Sequence, residues 1–522
     1  MTETLQAITP EIILIVLASV MYLAGTFAPA PCRCWFWAAL AVLALAGLTV
    51  GVCSSRAAPQ SAVVVVDSLA IYGKLLALVT GVALVLLSEG MSLDEAAPEY
   101  FASLLLVVAG SMLVAGANEL VLLFLGLELI SIPTYVLLYL PRHDAAAQES
   151  AAKYFFLSVF SSALFLYGLS LVYGAAGSTN LAAIAGGVLG EMPSLPATLL
   201  VALALIMAGL GFKVAAAPFH FYAPDVYQGT TNTLAALLAW VPKAAGFLAM
   251  LRLVTFGMPY LADKTAWLLV VLAGATMTIG NVMGLLQNNL RRLFAYSGIA
   301  HAGYMLIGIG VGTGGGTQFL MTSGSEGVVF YLVAYAAMTI GVFAVIVFLS
   351  SPERPVETVD DLAGLAKSHP ALALAMALFL FSLTGIPITA GFWGKLAIFS
   401  SALASGDTRY LWLVVIGVVN AAISSYFYLR IIGVMYMNES FTPIKPGGGR
   451  PSFSVVMGCA LVTLLVGLVP SPFMAWARRA GAGPQRAAAE AMAIAPRADA
   501  RLATDSSSTF TGPLQAQAAN RP

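Results

Sequence analysis

Apolar runs of about twenty residues recur along the whole chain, and they constrain the fold more than any other feature. A bilayer core of about 30 Å needs about 20 apolar residues per spanning helix. On that ruler about fourteen spans are expected, centred near Ala18, Leu45, Leu78, Val107, Leu129, Ala163, Ile206, Gly246, Gly274, Ile307, Ala337, Ala390, Gly417 and Val462. Composition agrees: 60% of the 522 residues are hydrophobic and 9% are charged, where soluble domains average about 45 to 50% and about 25%. The expected fold class is therefore an all-α multi-pass membrane protein. An even number of spans puts both termini on one side.

Basic residues in short loops orient such a bundle. The odd-numbered loops carry Arg33, Arg142, Arg291, Arg292, Arg354, Lys367, Lys445 and Arg450, and the even ones only Arg56, Lys264 and Arg409. This predicts odd loops in the cytoplasm and both termini outside. The arginines near the C-terminus, such as Arg478 and Arg479, argue mildly the other way. Formal net charge is zero, so no nucleic-acid partner is expected. Cys32, Cys34, Cys53 and Cys459 lack metal-ligand and haem-attachment spacing and read as isolated thiols. The start, MTETLQAITPE, is acidic and runs into a full-length apolar stretch, so a cleaved signal peptide is not expected.

Against that background the ionisable residues at depth stand out. An ammonium at the bilayer centre costs at least about 2.5 to 3.5 kcal/mol on insertion scales, so a buried lysine marks a functional-site hypothesis. Span seven, GFKVAAAPFHFYAPDVYQG, holds Lys213, His220 and a helix-breaking Pro218. Span five holds Glu128 about halfway along, and span eight holds Lys243 directly after Pro242, with Arg252 near its end as an interfacial anchor. In span twelve, Pro387 lies among glycines with Lys395 just beyond, which predicts a second broken helix. Glu149 and Lys153 stand four apart at the start of span six, either as a structural pair or as part of a relay. His301 in span ten is open to two readings, relay member or hydrogen-bonded core histidine. Lys74, near the start of span three, is expected to reach toward Asp67.

Two interrupted helices at comparable places point to a transporter built of inverted repeats. Glu149-x3-Lys153-Tyr154 opens span six much as Glu326-x3-Phe330-Tyr331 opens span eleven. The expected organisation is residues 1–98 for spans one to three, 99–258 for a first repeat of spans four to eight, and 259–440 for a second of spans nine to thirteen. Span fourteen follows at 441–476, and 477–522 reads as a disordered or weakly ordered tail.

Lysine, histidine and glutamate can all release and rebind protons, whereas arginine cannot. A charge pair at 4 Å is worth about 4 kcal/mol at an effective dielectric of 20. At 1.36 kcal/mol per pKa unit, making or breaking such a pair moves a proton affinity by about three units. A pair between Glu128 and Lys213 could thus switch the lysine between charged and neutral, with Lys243, His301 and Lys395 as further stations.

At these residues the chain resembles the antiporter-like subunits of proton-pumping NADH:quinone oxidoreductase (respiratory complex I), and among them the N subunits. The resemblance runs from about span four to span thirteen. Its most specific part is KVAAAPFHFYAPDVYQG, followed by a lysine in the next span. PDVYQG separates it from the related L, M and Mrp-type subunits. FYAP in place of a tryptophan-containing form, and TTNTLAALL in place of a Pro- and Ala-rich start to span eight, are departures. The family pattern carries over onto Glu128, Lys213, Lys243 and Lys395. The resemblance implies a non-redox subunit of a translocase, without cofactor or metal of its own, while NADH, FMN, iron-sulfur clusters and quinone sit on partner subunits. It implies neighbouring antiporter-like and small membrane subunits as partners, and a bacterial inner membrane as location. The competing reading is a Mrp-type cation/proton antiporter subunit. A metabolite carrier, or a packing subunit whose lysines merely snorkel, is a further alternative.

Overall fold

A computed structural model of the chain describes residues 2–27, 30–53, 62–91, 93, 96–186, 196–312, 323–351, 354–439 and 446–482. The helices that matter for function are α1 (Thr9–Phe27), α2 (Cys32–Cys53), α3 (Ser68–Leu87), α4 (Ala97–Gly116), α5 (Leu120–Tyr139), α6 (Ala145–Ala176), α7 (Ala197–Val214), α8 (Ala223–Gly229) and α9 (Asn232–Met250). They continue with α10 (Ala262–Leu285), α11 (Leu290–Val311), α12 (Gly324–Leu349), α13 (Pro370–Thr384), α14 (Ala390–Ala404), α15 (Thr408–Met437) and α16 (Arg450–Leu468). Among the described residues there are no strands, only the isolated bridges Val64 to Ala117, Glu119 to Asn180 and Asn289 to Thr358.

Among the described residues, 13 helices are long and apolar enough to cross a membrane. The remaining expected span, the twelfth, is divided into α13 and α14. Its first half, 15 residues long, is too short to cross alone. The cause is local. Gly385 turns the chain at φ 90° and Ile388 follows at φ 74°, on either side of Ile386 and Pro387, so the helical ladder cannot continue. Span seven breaks in the same manner where α7 ends at Val214, with Ala215 at φ 57° and Pro218 ahead of α8. Both interruptions expected from the proline positions are therefore present.

Several helix starts elsewhere are set by side-chain caps, each worth about 1 kcal/mol. Asp67 accepts from Ala70 N at 2.7 Å to open α3, Asp144 from Ala147 N at 2.8 Å to open α6, and Asn289 from Arg292 N at 3.2 Å to open α11. Packing follows the same order in the two runs of five spans. α4 lies against α5 as α10 lies against α11, α6 against α7 as α12 against α13 and α14, and α4 against α9 as α10 against α15.

Burial sorts the helices into centre and rim. The whole apolar window of the segment Asn232–Gly257 is buried and 83% of that in α12, against 28% in α1 and α2. A lysine on a rim helix can stretch to the headgroups, but one on α9 is enclosed by protein on every side.

Two expectations about charges need correction. Lys74 does not turn to Asp67; its ammonium is 2.8 Å from Glu11 and donates to Ala7 O at 2.9 Å, because α1 packs beside this part of the bundle. Arg252 is no interfacial anchor. It is buried, clamping Asp67 at 2.7 and 2.6 Å and Ala115 O at 3.0 and 2.6 Å. Chain neighbours alone could not reveal either partner. The amphipathic VDDLAGLAKSHP segment packs on the bundle through Val359, Leu362 and Leu365. The chain expected to lose order at 477 is helical over 470–482, with Met474, Ala477 and Ala480 buried; the rest of the expected tail, 483–522, lies outside the described residues.

Candidate functional site

The first group of polar side chains gathers where α5, α6 and α7 meet. Lys213 sits in the last turn of α7, whose carbonyl end favours a cation. Its ammonium donates to Ser131 Oγ at 2.6 Å and Ser158 Oγ at 3.3 Å, with Ser162 Oγ at 3.5 Å. Glu128 Oε1 lies 3.7 Å away, and Ser162 donates to that same oxygen. The expected Glu128 to Lys213 pair is thus formed, with a hydroxyl beside the gap. Gly246 on α9 packs on the stem of Lys213, where an added Cβ would come to 3.3 Å from the lysine Cβ.

Lys243 follows Pro242 on the enclosed α9 and is 2% exposed. It donates to Tyr335 Oη at 3.5 Å, and the rings of Tyr227 and Tyr335 have their centroids 6.0 and 5.8 Å from its Nζ. Such cation–π contacts offset part of the cost of removing the charge from water. The ammonium and the Tyr335 hydroxyl both lie against Gly298 of α11. A Cβ there would collide with Lys243 Nζ and come within 2.8 Å of the hydroxyl, so the glycine is what lets the ammonium rest at this place.

His301 is buried on α11. Its Nδ1 is 2.5 Å from Tyr331 Oη and its Nε2 is 3.2 Å from Tyr428 Oη, which in turn is 2.5 Å from Ser297 Oγ. Tyr335 and Tyr304 complete the wall, with ring centroids 5.4 and 5.8 Å from the imidazole.

Lys395, on α14, reaches back across the second break. It donates to Leu383 O at 3.0 Å and Thr384 O at 2.8 Å, two carbonyls that the end of α13 leaves without helical partners. Its Nζ stands 4.9 Å from the centroid of the Tyr304 ring. Tyr304, Tyr331 and Tyr335 therefore link the surroundings of Lys243, His301 and Lys395 into one buried polar seam.

The other two sequence candidates lie apart from this seam. His220 stands in the break between α7 and α8, half-buried, with its Nδ1 lacking a hydrogen-bond partner among the described residues. Lys153 is at the loop face of α6, 2.6 Å from Glu149 and 2.9 Å from Asp225. Arg292 holds the other oxygen of Asp225 at 2.6 Å, and Arg291 pairs with Glu357 at 2.7 Å. A cavity of about 520 Å³ opens among Arg142, Glu149, Lys153, Asp225, Arg291 and Glu357. These residues come from loops five, seven, nine and eleven or the helix ends beside them, so these four odd loops share a face. Sequence reasoning missed the serines and tyrosines. Their signal was present as helical spacing, Ser158 with Ser162 and Tyr331 with Tyr335, but such pairs are common in any helix.

The family described as NADH:quinone oxidoreductase/Mrp antiporter, TM, matches residues 117–424, which hold every group described above except Tyr428. The chain belongs to this family of antiporter-like membrane subunits. NADH-quinone oxidoreductase subunit N of Trichlorobacter lovleyi is 40% identical over 491 residues, covering 92% of this chain and 97% of its own. Subunit N of Rhodospirillum rubrum is 37% identical over 472 residues, 88% of this chain and 94% of its own. Among solved structures, a chain of respiratory complex I from Thermus thermophilus with bound aureothin superposes with a TM-score of 0.75 at 32% identity, over 89% of this chain and 98% of that one. A chain of the Mrp complex from Dietzia sp. reaches a TM-score of 0.80 at 20% identity, over 94% and 100%, a likeness of fold alone.

Proposed function

We propose that the chain is the proton-translocating N subunit of an NADH:quinone oxidoreductase, and that protons pass along Glu128, Lys213, Lys243, His301 and Lys395. The observation that carries this reading is the enclosure of three lysines: Lys213, Lys243 and Lys395 are 5%, 2% and 6% exposed, each the one charged residue of its helix. Desolvating an ammonium is costly, and among the described residues each is compensated by hydroxyls, carbonyls, rings and, at Lys213, one carboxylate. Such partners hold a cation loosely enough for it to lose its proton, which bidentate acidic clamps would not. Lys213 gains and loses charge support as Glu128 approaches or withdraws. Lys395 does so as the carbonyls of α13 move with the break at Gly385.

In this reading NADH oxidation and quinone reduction take place on sister subunits, which hold FMN, iron-sulfur clusters and the quinone, and neighbouring membrane subunits transmit the coupling. His220 serves as a side station at the first break, and Lys153 as the gate residue of the charged cavity on the odd-loop face. That face is cytoplasmic in a bacterial inner membrane, with both termini outside.

The test is NADH-driven acidification of proteoliposomes carrying the assembled complex. Lys213→Ala and Lys243→Ala are each expected to lower the translocation rate severalfold per assembled complex. Full rates in both variants would falsify the relay. Purification of the chain with Mrp partners and without NADH dehydrogenase activity would instead favour the antiporter reading.

A further inference from the structure

We infer that a groove between α3, α12 and α16 binds one acyl chain of a phospholipid with an ethanolamine headgroup, held at its mouth by Arg450 and Glu89. The groove encloses about 300 Å³ and runs from Leu76 to Leu86 on α3, from Val333 to Ile340 on α12 and from Ser454 to Val462 on α16. Its wall is aliphatic or small, with Cys459 as a thiol that behaves as a small hydrophobe. The two hydroxyls in the wall are turned back onto their own helices: Thr80 donates to Leu76 O at 2.8 Å and Ser454 to Pro451 O at 2.7 Å. A polar guest would lose its water here without replacement, so the part that enters is hydrocarbon.

Length and ends select the guest. Between Leu76 and Leu86 the helix advances about 15 Å at about 1.5 Å per residue, half of a bilayer core of about 30 Å. Beyond Leu76 the groove is plugged. Tyr72, one turn earlier on α3, donates to Val329 O, one turn before Val333 on α12, and its ring meets that of Trp476 edge-on with centroids 4.9 Å apart. A helix of another subunit crosses the whole core and would not end at this plug. A chain hanging from one leaflet does.

The open end lies at the odd-loop face, where α3 and α12 finish and α16 begins. Gly448 N donates to Phe348 O at 3.0 Å, and a Cβ added at Gly449 would come to 2.7 Å from Glu89 Oε2. Arg450 follows at the head of α16, exposed, one turn above Ser454 and on the same face. Among the described residues neither Arg450 nor Glu89 has an ion-pair partner within 4.0 Å, and the two do not pair with each other. A guanidinium suits a phosphate, to which it can donate two parallel hydrogen bonds, and a carboxylate accepts from an ammonium. One basic and one acidic side chain at the mouth therefore match a headgroup that carries both a phosphate and a primary ammonium. A glycerol headgroup would leave Glu89 facing only negative charge, and a choline has no N–H to give it.

The experiment uses the purified complex that carries this chain, in nanodiscs, with phosphatidylethanolamine, phosphatidylglycerol or phosphatidylcholine bearing the same photoreactive acyl chain; crosslinks are mapped by peptide mass spectrometry. Phosphatidylethanolamine is expected to label the groove segments of α3 and α16 severalfold more than the other two. Gly458 lines the groove with open space where its Cβ would be, so Gly458→Leu fills the groove without a clash and is expected to abolish the label at an unchanged yield of complex. Arg450→Gln is expected to lower labelling by all three lipids, and Glu89→Gln to lower only that by phosphatidylethanolamine. Equal labelling of the parental and Gly458→Leu complexes overturns the site. So does a groove that no lipid labels, because a neighbouring subunit then covers it, and so does suppression of the label by added quinone. Labelling by phosphatidylglycerol or phosphatidylcholine as strong as that by phosphatidylethanolamine overturns the headgroup assignment.

Discussion

Lys213 Nζ and Glu128 Oε1 stand 3.7 Å apart, joined from two helices, α5 and α7, that another span separates in the chain. At about 4 Å and an effective dielectric of 20 such a pair is worth about 4 kcal/mol, enough to decide whether the lysine is charged. Glu128→Gln keeps the shape and removes the charge. It is expected to lower NADH-driven proton translocation severalfold, and Ser162→Ala, which removes only the bridging hydroxyl, is expected to lower it less. Lys213→Arg should impair as well, since a guanidinium keeps its proton. Acidification by the reconstituted complex is the measurement, and an arginine variant at the parental rate would refute a role for proton release.

Gly298 offers a test that leaves every titratable group in place. In Gly298→Ala the new methyl would collide with Lys243 Nζ and come within 2.8 Å of the Tyr335 hydroxyl, forcing the ammonium to move. A severalfold drop in translocation is expected with the complex assembled. Gly274→Ala is the control, because the nearest atom to its Cβ is Leu413 Cδ1 at 3.6 Å. Equal rates in the two variants would show that the position of Lys243 does not matter.

Asp67 and Arg252 tie the start of α3 to the turn that follows α9 and to the end of α4 on the even-loop face. Asp67 also caps α3, and asparagine caps about as well as aspartate, so Asp67→Asn isolates the loss of charge. Leaving a buried guanidinium unpaired costs about 3 to 5 kcal/mol. The subunit is expected to be depleted from assembled complex and to unfold at lower temperature; unchanged melting would mean that water reaches Arg252 after all.

Asp144, outside the spans, accepts from Ala147 N and from Arg142, and both interactions hold its carboxyl below the usual carboxylate range. A lowered folded-state pKa contributes stability that is present above the unfolded value and lost as pH falls through the folded one. The start of α6 should therefore hold at neutral pH and loosen only in acid. Amide hydrogen exchange at Ala147 measured across that range checks it, and Asp144→Ala should show the loosened state at every pH.

Much of this protein could be read from the chain alone. Spans are legible because lipid imposes one length and one composition on each, whatever its neighbours do. Both breaks are legible because proline and glycine act on their own backbone. Lys213, Lys243 and Lys395 are conspicuous for the same reason: a charge within an apolar run is costly wherever the run is placed. What the sequence could not determine was which groups meet. Lys74 pairs with Glu11 rather than Asp67, Arg252 is clamped rather than exposed, and His301 is held by Tyr331 and Tyr428 from two other helices. In a bundle where nearly every helix is apolar on all sides, no amphipathic stripe marks the inner face. Helix rotation, and with it the partner of every buried polar atom, is decided only when the spans pack together.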